Sequence, residues 1–568
     1  MPSEFQSNNE SILFPLGELS RRSAGKFGDR PVFKRWNGSE WQITTFRELE
    51  RKSDRLARWL LDNGLKVGDR VVIIGENGPE WALAYLAVHI ACGVAVPADN
   101  QLTPHELKFI LEDAEATILF ATPKHLKNLS GFNPDLRKIC LTEAHVEGTT
   151  QFKTLFESES TSSTAFPVAD LDSMASILYT SGTTGHSKGV MLTHRNIISN
   201  VYGASMVIPL GPDDTFLSVL PVHHSLECTA GFLLPVYTGA SITFARSMKS
   251  ADLLADIRQT GVTILVGVPI LFEKMMASIA KGVKKKGRSK ELVFNTLMAT
   301  AKIHNNLGTA LFRGIREKAG FGTVKFFVSG GGPLDPVVGR FFLRFGVKIL
   351  QGYGLTETSP VTHVNPPDRI KVETVGKTLI WVECRIGEPT GSGVGEVEVR
   401  GPNVFPGYYR NREATESVMT EDGWLKTGDL GTIDKDGYLT LMGRKKNIIV
   451  TGGGKNIYPE EVEFHLNRQP IIGQSLVLGS TRDSGFGEDV AALIYPDQEY
   501  LDQLRAEHQP RELTAGEIDA MVKQAIAAAS HELAEYKRVK KFKIVEAGFE
   551  MTSSKKIKRY LYSGDMLK

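Results

Sequence analysis

An α/β protein built on parallel sheets covered by helices is the fold this sequence predicts, and three features predict it. Apolar strand-like runs alternate with capped amphipathic helices through the first third of the chain. Two further strand-like runs, FFVSGGGP from Phe326 and ILQGYGLTE from Ile349, run directly into glycine turns. From Val375 to Leu441 the texture changes to short alternating segments separated by turns such as DGW, DKDG and PTGSG, which predicts a β-rich subdomain.

The elements follow in order. Thr45 and Glu48 have capping-box spacing, and Phe46, Leu49, Leu56, Trp59 and Leu60 continue at helical intervals until Gly64. RVVII, Arg70 to Ile74, reads as a buried strand, followed by a helix from about Pro79 to Ala91 and a short strand at VAVP. A second capping box at Thr103 and Glu106 precedes a strand at TILFA. After GRKKN, Gly443 to Asn447, a second mixed region begins, with a helix at Pro459 to Asn467 and a late amphipathic one near Ile518 to Ala534. This places an N-terminal domain at 1–445 and a C-terminal one at 446–568.

At 568 residues the chain is too long for one core. It is 41% hydrophobic and 23% charged with a net charge of +2, so no global field recruits nucleic acid. KGVKKKGRSK from Lys281 and KKIKR from Lys555 are local basic runs, either solvated faces or sites of attraction to an anionic membrane surface or an acidic partner. Four scattered cysteines and an N-terminus without a basic-then-apolar pattern point to a reducing, cytoplasmic setting, and any membrane contact is expected to be peripheral.

YTSGTTGHSKGV, Tyr179 to Val190, has the composition of a phosphate loop. It is not a Walker A loop, because Ser187 stands where the second glycine belongs and Gly189 follows Lys188. His223 and His224 are adjacent; on a strand they point to opposite faces and cannot readily share one ion.

Taken in order, YTSGTTGHSKGV, LPVHHSLE (Leu220 to Glu227), SGGGP, QGYGLTET, GWLKTGDLG, GRKKNIIVTGGGKNIYPEEVE and SSKKIKR resemble the motifs of the ATP-dependent adenylate-forming enzymes. The resemblance runs from about Asp29 to Arg559, and SGGGPLDP, GYGLTETSP and TGGGKNIYPEEVE are most similar to the fatty acyl-CoA synthetases. It implies that the C-terminal domain is a small mobile α+β lid, and that ATP, Mg²⁺ and CoA are used. Thr180, Ser181, Gly182, Thr183, Thr184, Gly185 and Lys188 would steer the β- and γ-phosphates. Glu357, with Thr180, would be the magnesium ligand, and Thr356 would meet the α-phosphate or cap a helix. Gly330, Gly331, Gly332 and Pro333, with Gln351, Gly352, Tyr353 and Gly354, would frame adenine, Tyr353 stacking on it unless it is a core tyrosine. Asp429, joined by Arg444, would hold the ribose, an isolated Asp being otherwise a turn former.

The resemblance also sets His224 beside the acyl carboxylate, although a satisfied core histidine fits too. Lys556 would bridge carboxylate and α-phosphate as charge develops. Lys446 would be the hinge, and Gly452, Gly453 and Gly454 would face the pantetheine passage. The chain departs from the family at Ser187, where Pro is common, and at Ser553, Ser554 and Lys555, which leaves Lys555 as an alternative register. The implied reaction is ATP-dependent conversion of a medium- or long-chain fatty acid to acyl-AMP and then acyl-CoA. An acyl-AMP ligase serving an acyl carrier protein and a catalytically silent binding protein are the other readings.

Overall fold

The computed structural model describes residues 12–129, 131–156, 165–181, 187–302, 307–391, 393–453, 455–481, 487–508, 513–552 and 556–567. Two compact units emerge. The larger comprises 1–182, 187–384 and 399–425; the smaller comprises 183–186, 385–398 and 426–568.

The larger unit contains two long sheets. One has eight strands in the order Gly407–Tyr408, Ser187–Thr193, Met174–Ser181, Val94–Ala98, Arg70–Ile74, Ala116–Ala121, Arg137–Cys140 and Thr150–Gln151. From Met174–Ser181 onward its neighbours are parallel, while the hairpin that brackets the phosphate loop is antiparallel. Runs such as RVVII are apolar throughout because a parallel strand covered on both faces has no wet side; Val71 to Ile74 are fully buried. Val72, Ile74, Val96 and Leu119 pack with Leu107, Ile110 and Leu111 of the helix Pro104–Asp113.

The second sheet has nine strands, with a parallel centre formed by Lys348–Gly354, Phe326–Ser329, Ile264–Gly267, Thr215–Ser218, Ser241–Phe244 and Pro31–Trp36. Its core is aromatic. The fully buried Phe327 lies 5.1 Å from Phe272 and 5.1 Å from Phe342, centroid to centroid. Truncating such a ring to Ala costs about 3–5 kcal/mol.

Helix starts are where sequence chemistry asks for them. At the helix Phe46–Asp62, Thr45 Oγ1 accepts from the Glu48 amide at 3.2 Å and Glu48 Oε2 accepts from the Thr45 amide at 2.9 Å. The same reciprocal pair opens Pro104–Asp113 at Thr103 and Glu106. Two further boxes, Thr193 with Asn196 and Thr514 with Glu517, open His194–Val207 and Ala515–His531.

The smaller unit takes in most of a four-stranded sheet in the order Glu383–Gly387, Gly395–Arg400, Leu425–Ile433 and Leu439–Arg444. A three-stranded sheet follows, in which Ile472–Thr481 pairs antiparallel with Glu488–Pro496, and that strand pairs parallel with Lys541–Ile544. Val462, Val477, Ile494, Val522 and Ile526 form its core. The helices Pro459–Leu466 and Ala515–His531 lie close to their predicted bounds. Among the described residues no helix is long and apolar enough to cross a membrane. Lys284 to Lys290, between and within the helices Pro269–Lys284 and Arg288–Thr300, are exposed.

Candidate active site

In the larger unit the carboxyl ends of parallel strands carry most of the expected residues, as ligand sites in open α/β sheets do. Phe326–Ser329 and Lys348–Gly354 are neighbours in register, Ser329 opposite Gln351, so SGGGP and QGYG leave the sheet side by side. Gly331 adopts φ +79°, a conformation costly for any residue with a Cβ. A Cβ at Gly354 would stand 1.7 Å from the Pro360 carbonyl oxygen, so that strand end admits only glycine. The Tyr353 ring is half-buried and sits 5.9 Å from the His363 ring. The Ser329 hydroxyl and Gln351 Oε1 are buried without a hydrogen-bond partner among the described residues. Buried polar atoms of this kind, where a strand runs into a glycine turn, are suited to a polar ligand.

Thr356 opens a single turn, Thr356–Thr358, and does not cap a longer helix; Leu355 is the residue before it. The capping role weighed for its hydroxyl is therefore absent. Thr356 Oγ1 instead lies 3.4 Å from Ser225 Oγ, which ties the LTET turn to LPVHHSLE. Thr358 braces the turn from within, its Oγ1 accepting from the Leu355 amide at 2.9 Å and donating to the Pro360 carbonyl at 2.6 Å.

Glu357 projects from the same turn and is half-buried. Tyr408 Oη donates to Glu357 Oε1 at 2.7 Å, and Lys188 Nζ lies 5.3 Å from the Tyr408 ring centroid. Lysine, tyrosine and carboxylate thus form a chain from the phosphate loop to the LTET turn. Tyr408 reaches this position because Gly407–Tyr408 pairs antiparallel with Ser187–Thr193. Thr180 and Lys188 face each other across the hairpin that closes the loop. Ser181 ends its first strand, while Gly182, Thr183, Thr184 and Gly185 lie outside the described residues.

His223 and His224 require a correction. They lie in a turn beyond the strand Thr215–Ser218, not on a strand, and no alternation separates them. Their ring centroids are 4.3 Å apart. The turn is pinned by Asn77, whose Nδ2 donates to Ser218 Oγ at 2.7 Å and to the Leu220 carbonyl at 2.6 Å, while its Oδ1 accepts from the Val222 amide at 2.9 Å. Ser218 Oγ in turn donates to Glu227 Oε1 at 2.6 Å. Glu227 is fully buried on the π-helical segment Glu227–Leu233, and loss of water pushes its carboxyl up to about 8. The shift favours the neutral form at pH 7.

The remaining residues belong to the smaller unit. Asp429 lies within the strand Leu425–Ile433, not in a turn before one, and is cross-strand partner to Arg444. Arg444 Nη1 donates to Asp429 Oδ1 at 2.9 Å and to the Thr427 carbonyl at 2.9 Å. Lys446 is exposed in the turn Lys445–Asn447. Gly452 meets Gly487 so closely that a Cβ at Gly487 would stand 2.2 Å from the Gly452 nitrogen; Gly453 continues the turn, and Gly454 lies outside the described residues. Lys556 is exposed, its amide donating to Thr552 Oγ1 at 3.1 Å; Ser553, Ser554 and Lys555 lie outside the described residues. Three residues on, Arg559 donates to the Val477 carbonyl at 3.1 Å and pairs with the partly buried Glu463 of PEEVE, which anchors the segment carrying Lys556.

Asn77, Tyr408 and the buried state of Glu227 escaped sequence reasoning. Only GYYRN, an aromatic pair after a proline-glycine turn, hinted at the second.

The sequence matches the AMP-binding enzyme family over residues 20–409. This chain belongs to that family. It is 33% identical to the long-chain-fatty-acid–CoA ligase FadD15 of Mycobacterium bovis, across 94% of this chain and 92% of the relative. It is 31% identical to the peroxisomal long chain acyl-CoA synthetase 6 of Arabidopsis thaliana, across 81% and 70%. The fold is similar to that of ATP-bound MatB from Rhodopseudomonas palustris, with a TM-score of 0.75 and 26% identity across 96% of this chain and 98% of that one. The α/β architecture read from the sequence is the architecture of this AMP-binding enzyme.

Proposed function

We propose that this AMP-binding enzyme activates a medium- or long-chain fatty acid with ATP and passes the acyl group to CoA. An acid carboxylate oxygen attacks the α-phosphorus of ATP and pyrophosphate leaves; the CoA thiolate then attacks the acyl carbonyl and AMP leaves. The observation that carries the proposal is the chain Lys188–Tyr408–Glu357 beside the Thr356–Ser225 contact. It puts a cation, a hydroxyl donor and a carboxylate where a phosphate loop and an LTET turn meet, as a reaction between two anions requires.

Glu357 and Thr180 fit Mg²⁺, since both offer hard oxygens and Tyr408 occupies only one carboxylate oxygen. The ion, when bound, offsets charge on the phosphates. Lys188, with the loop residues Ser181 to Gly185, holds the β- and γ-phosphates, and Thr356 donates to the α-phosphate. Gly330 to Pro333 and Gln351 to Gly354 receive adenine against Tyr353, and Asp429, oriented by Arg444, receives the ribose hydroxyls. Lys556 stabilises charge developing between carboxylate and α-phosphate, His224 borders the acyl carboxylate, and Gly452 to Gly454 face pantetheine. A domain boundary at 445/446, with Lys446 as hinge and 446–568 as a mobile lid, allows one nucleotide site to serve both half-reactions. CoA is favoured over an acyl carrier protein because the relatives are named as CoA ligases. The exposed basic run from Lys281 supports peripheral contact with an anionic membrane.

A panel of acids from acetate to oleate with aromatic acids added, followed by AMP release with free CoA or carrier protein, tests the proposal. Each methylene buried in an apolar tunnel contributes about 0.8 kcal/mol, so kcat/KM climbs roughly fourfold per carbon until the tunnel is full. Maximal activity on acetate, or on an aromatic acid with laurate inert, overturns the fatty acid assignment.

A further inference from the structure

The turn that carries His224 brings together a group of which the proposed reaction uses only His224. Asp99, His223 and His224 each offer one ligand-type atom, and these atoms all lie within 4.8 Å of one another. Asp99 follows the strand Val94–Ala98, and its Oδ1 accepts from the Gln101 amide at 2.9 Å. Its Oδ2 lies 3.5 Å from His223 Nε2. His223 is only 7% exposed, and its Nε2 is buried with no hydrogen-bond partner among the described residues. A buried imidazole nitrogen that makes no hydrogen bond and has a carboxylate oxygen at 3.5 Å is an atom that a ligand would satisfy.

We infer that Asp99, His223 and His224 form a binding site for a divalent transition-metal ion of the zinc class. Two imidazoles and one carboxylate suit such an ion better than Mg²⁺, which takes all-oxygen surroundings. Tetrahedral ligands on zinc stand about 3.3 Å apart. The His223–Asp99 pair is already at that separation, and the widest pair needs about 1.5 Å of closure at most. The clamp by Asn77 on Ser218, Leu220 and Val222 fixes the turn before any ion arrives. Three protein ligands leave a fourth position open. An ion seated there engages His224, and so competes with the acid substrate; this consequence alone rests on the role proposed for His224.

Co²⁺ is the probe, because its visible d–d absorption reports the coordination shell directly. Titration of the full-length enzyme is expected to give one saturable equivalent with the strong absorption of a four- or five-coordinate ion, discharged by Zn²⁺. His223→Ala is expected to weaken it by more than the roughly 10- to 100-fold cost of losing an outer-sphere partner. Asp99→Asn, at a partly exposed position, does the same with little change in packing and carries the test if His223→Ala does not fold. The difference spectrum between parent and variant isolates this site from the other histidines, of which the chain has 13 in all. No saturable Co²⁺ uptake by the parent, or parent affinity in the variants, overturns the inference. Saturable uptake with thioester formation unaffected upholds the metal site and removes His224 from the acyl pocket.

Discussion

Replacing Glu227 by Gln should raise the stability of the protein, and the gain should grow with pH. The carboxyl is fully buried, accepts one hydrogen bond from Ser218, and leaves Oε2 without a partner among the described residues. Burial pushes it from an ordinary 4.5 up to about 8. Folding therefore takes up a proton, which the unfolded chain has already lost above pH 4.5. Stability attributable to this group falls as pH rises through the window from about 4.5 to 8 and is flat above it.

At about 1.4 kcal/mol for each tenfold change in proton affinity, the full penalty is on the order of 5 kcal/mol above pH 8. At pH 7 it is about 3 kcal/mol, and at pH 5 it is below about 1 kcal/mol. Glutamine keeps the acceptor for Ser218, nearly the same volume, and no charge to bury. Denaturant unfolding of parent and Glu227→Gln at pH 5, 7 and 8.5 should give curves that nearly coincide at the lowest pH and separate upward. Parallel pH profiles would mean that the folded protein holds an ionised Glu227 and that the burial argument is wrong. The carboxylate would then have to be reached by water or a cation.

Lys556→Ala should slow adenylation by roughly a hundredfold, the effect of losing about 3 kcal/mol of charge stabilisation, while acyl-AMP supplied directly still yields thioester; equal loss in both half-reactions would place the critical lysine elsewhere. Lys446→Pro should do the reverse, accumulating acyl-AMP because a fixed φ obstructs the hinge, and normal CoA-dependent turnover would move the hinge to another residue. Tyr408→Phe keeps the ring facing Lys188 but removes a hydrogen bond to a carboxylate, worth about 1.5–3 kcal/mol. It should lower acid-dependent exchange of pyrophosphate into ATP by about 10- to 100-fold and raise the Mg²⁺ concentration required; an unchanged rate would show that Glu357 needs no positioning.

What the sequence discloses is what one segment contains. Thr45 and Glu48 are three residues apart, so a capping box can be read without knowing the fold, and the structure forms it. The glycine turns at SGGGP and QGYG are legible for the same reason, since the backbone demand and the residue meeting it coincide. Tyr408 and Glu357 are separated by 51 residues, and the phenol is brought to the carboxylate by the pairing of Gly407–Tyr408 with Ser187–Thr193 and by the Phe405 amide donating to the Glu357 carbonyl. Asn77 reaches Ser218 across 141 residues, a contact that no local pattern encodes.

The misreading of His223 and His224 has a different origin. Alternation is a rule for extended chain, and LPVHH has left the strand at Ser218, where Asn77 accepts from Val222 and folds the backbone into a turn. Asn77, Ser218 and Glu227 together make the acid relevant to function although it touches none of the expected substrate groups. A buried carboxyl that stays neutral can accept from Ser218 without drawing in water or a counter-ion, and Ser218 can accept from Asn77 in the same chain. Ionisation of Glu227 would favour rearrangement around the charge, and the first hydrogen bonds exposed to that rearrangement are those that set the direction of the VHH turn. The burial of Glu227, on an interior helical segment, therefore bears on the pH range over which the turn keeps its shape.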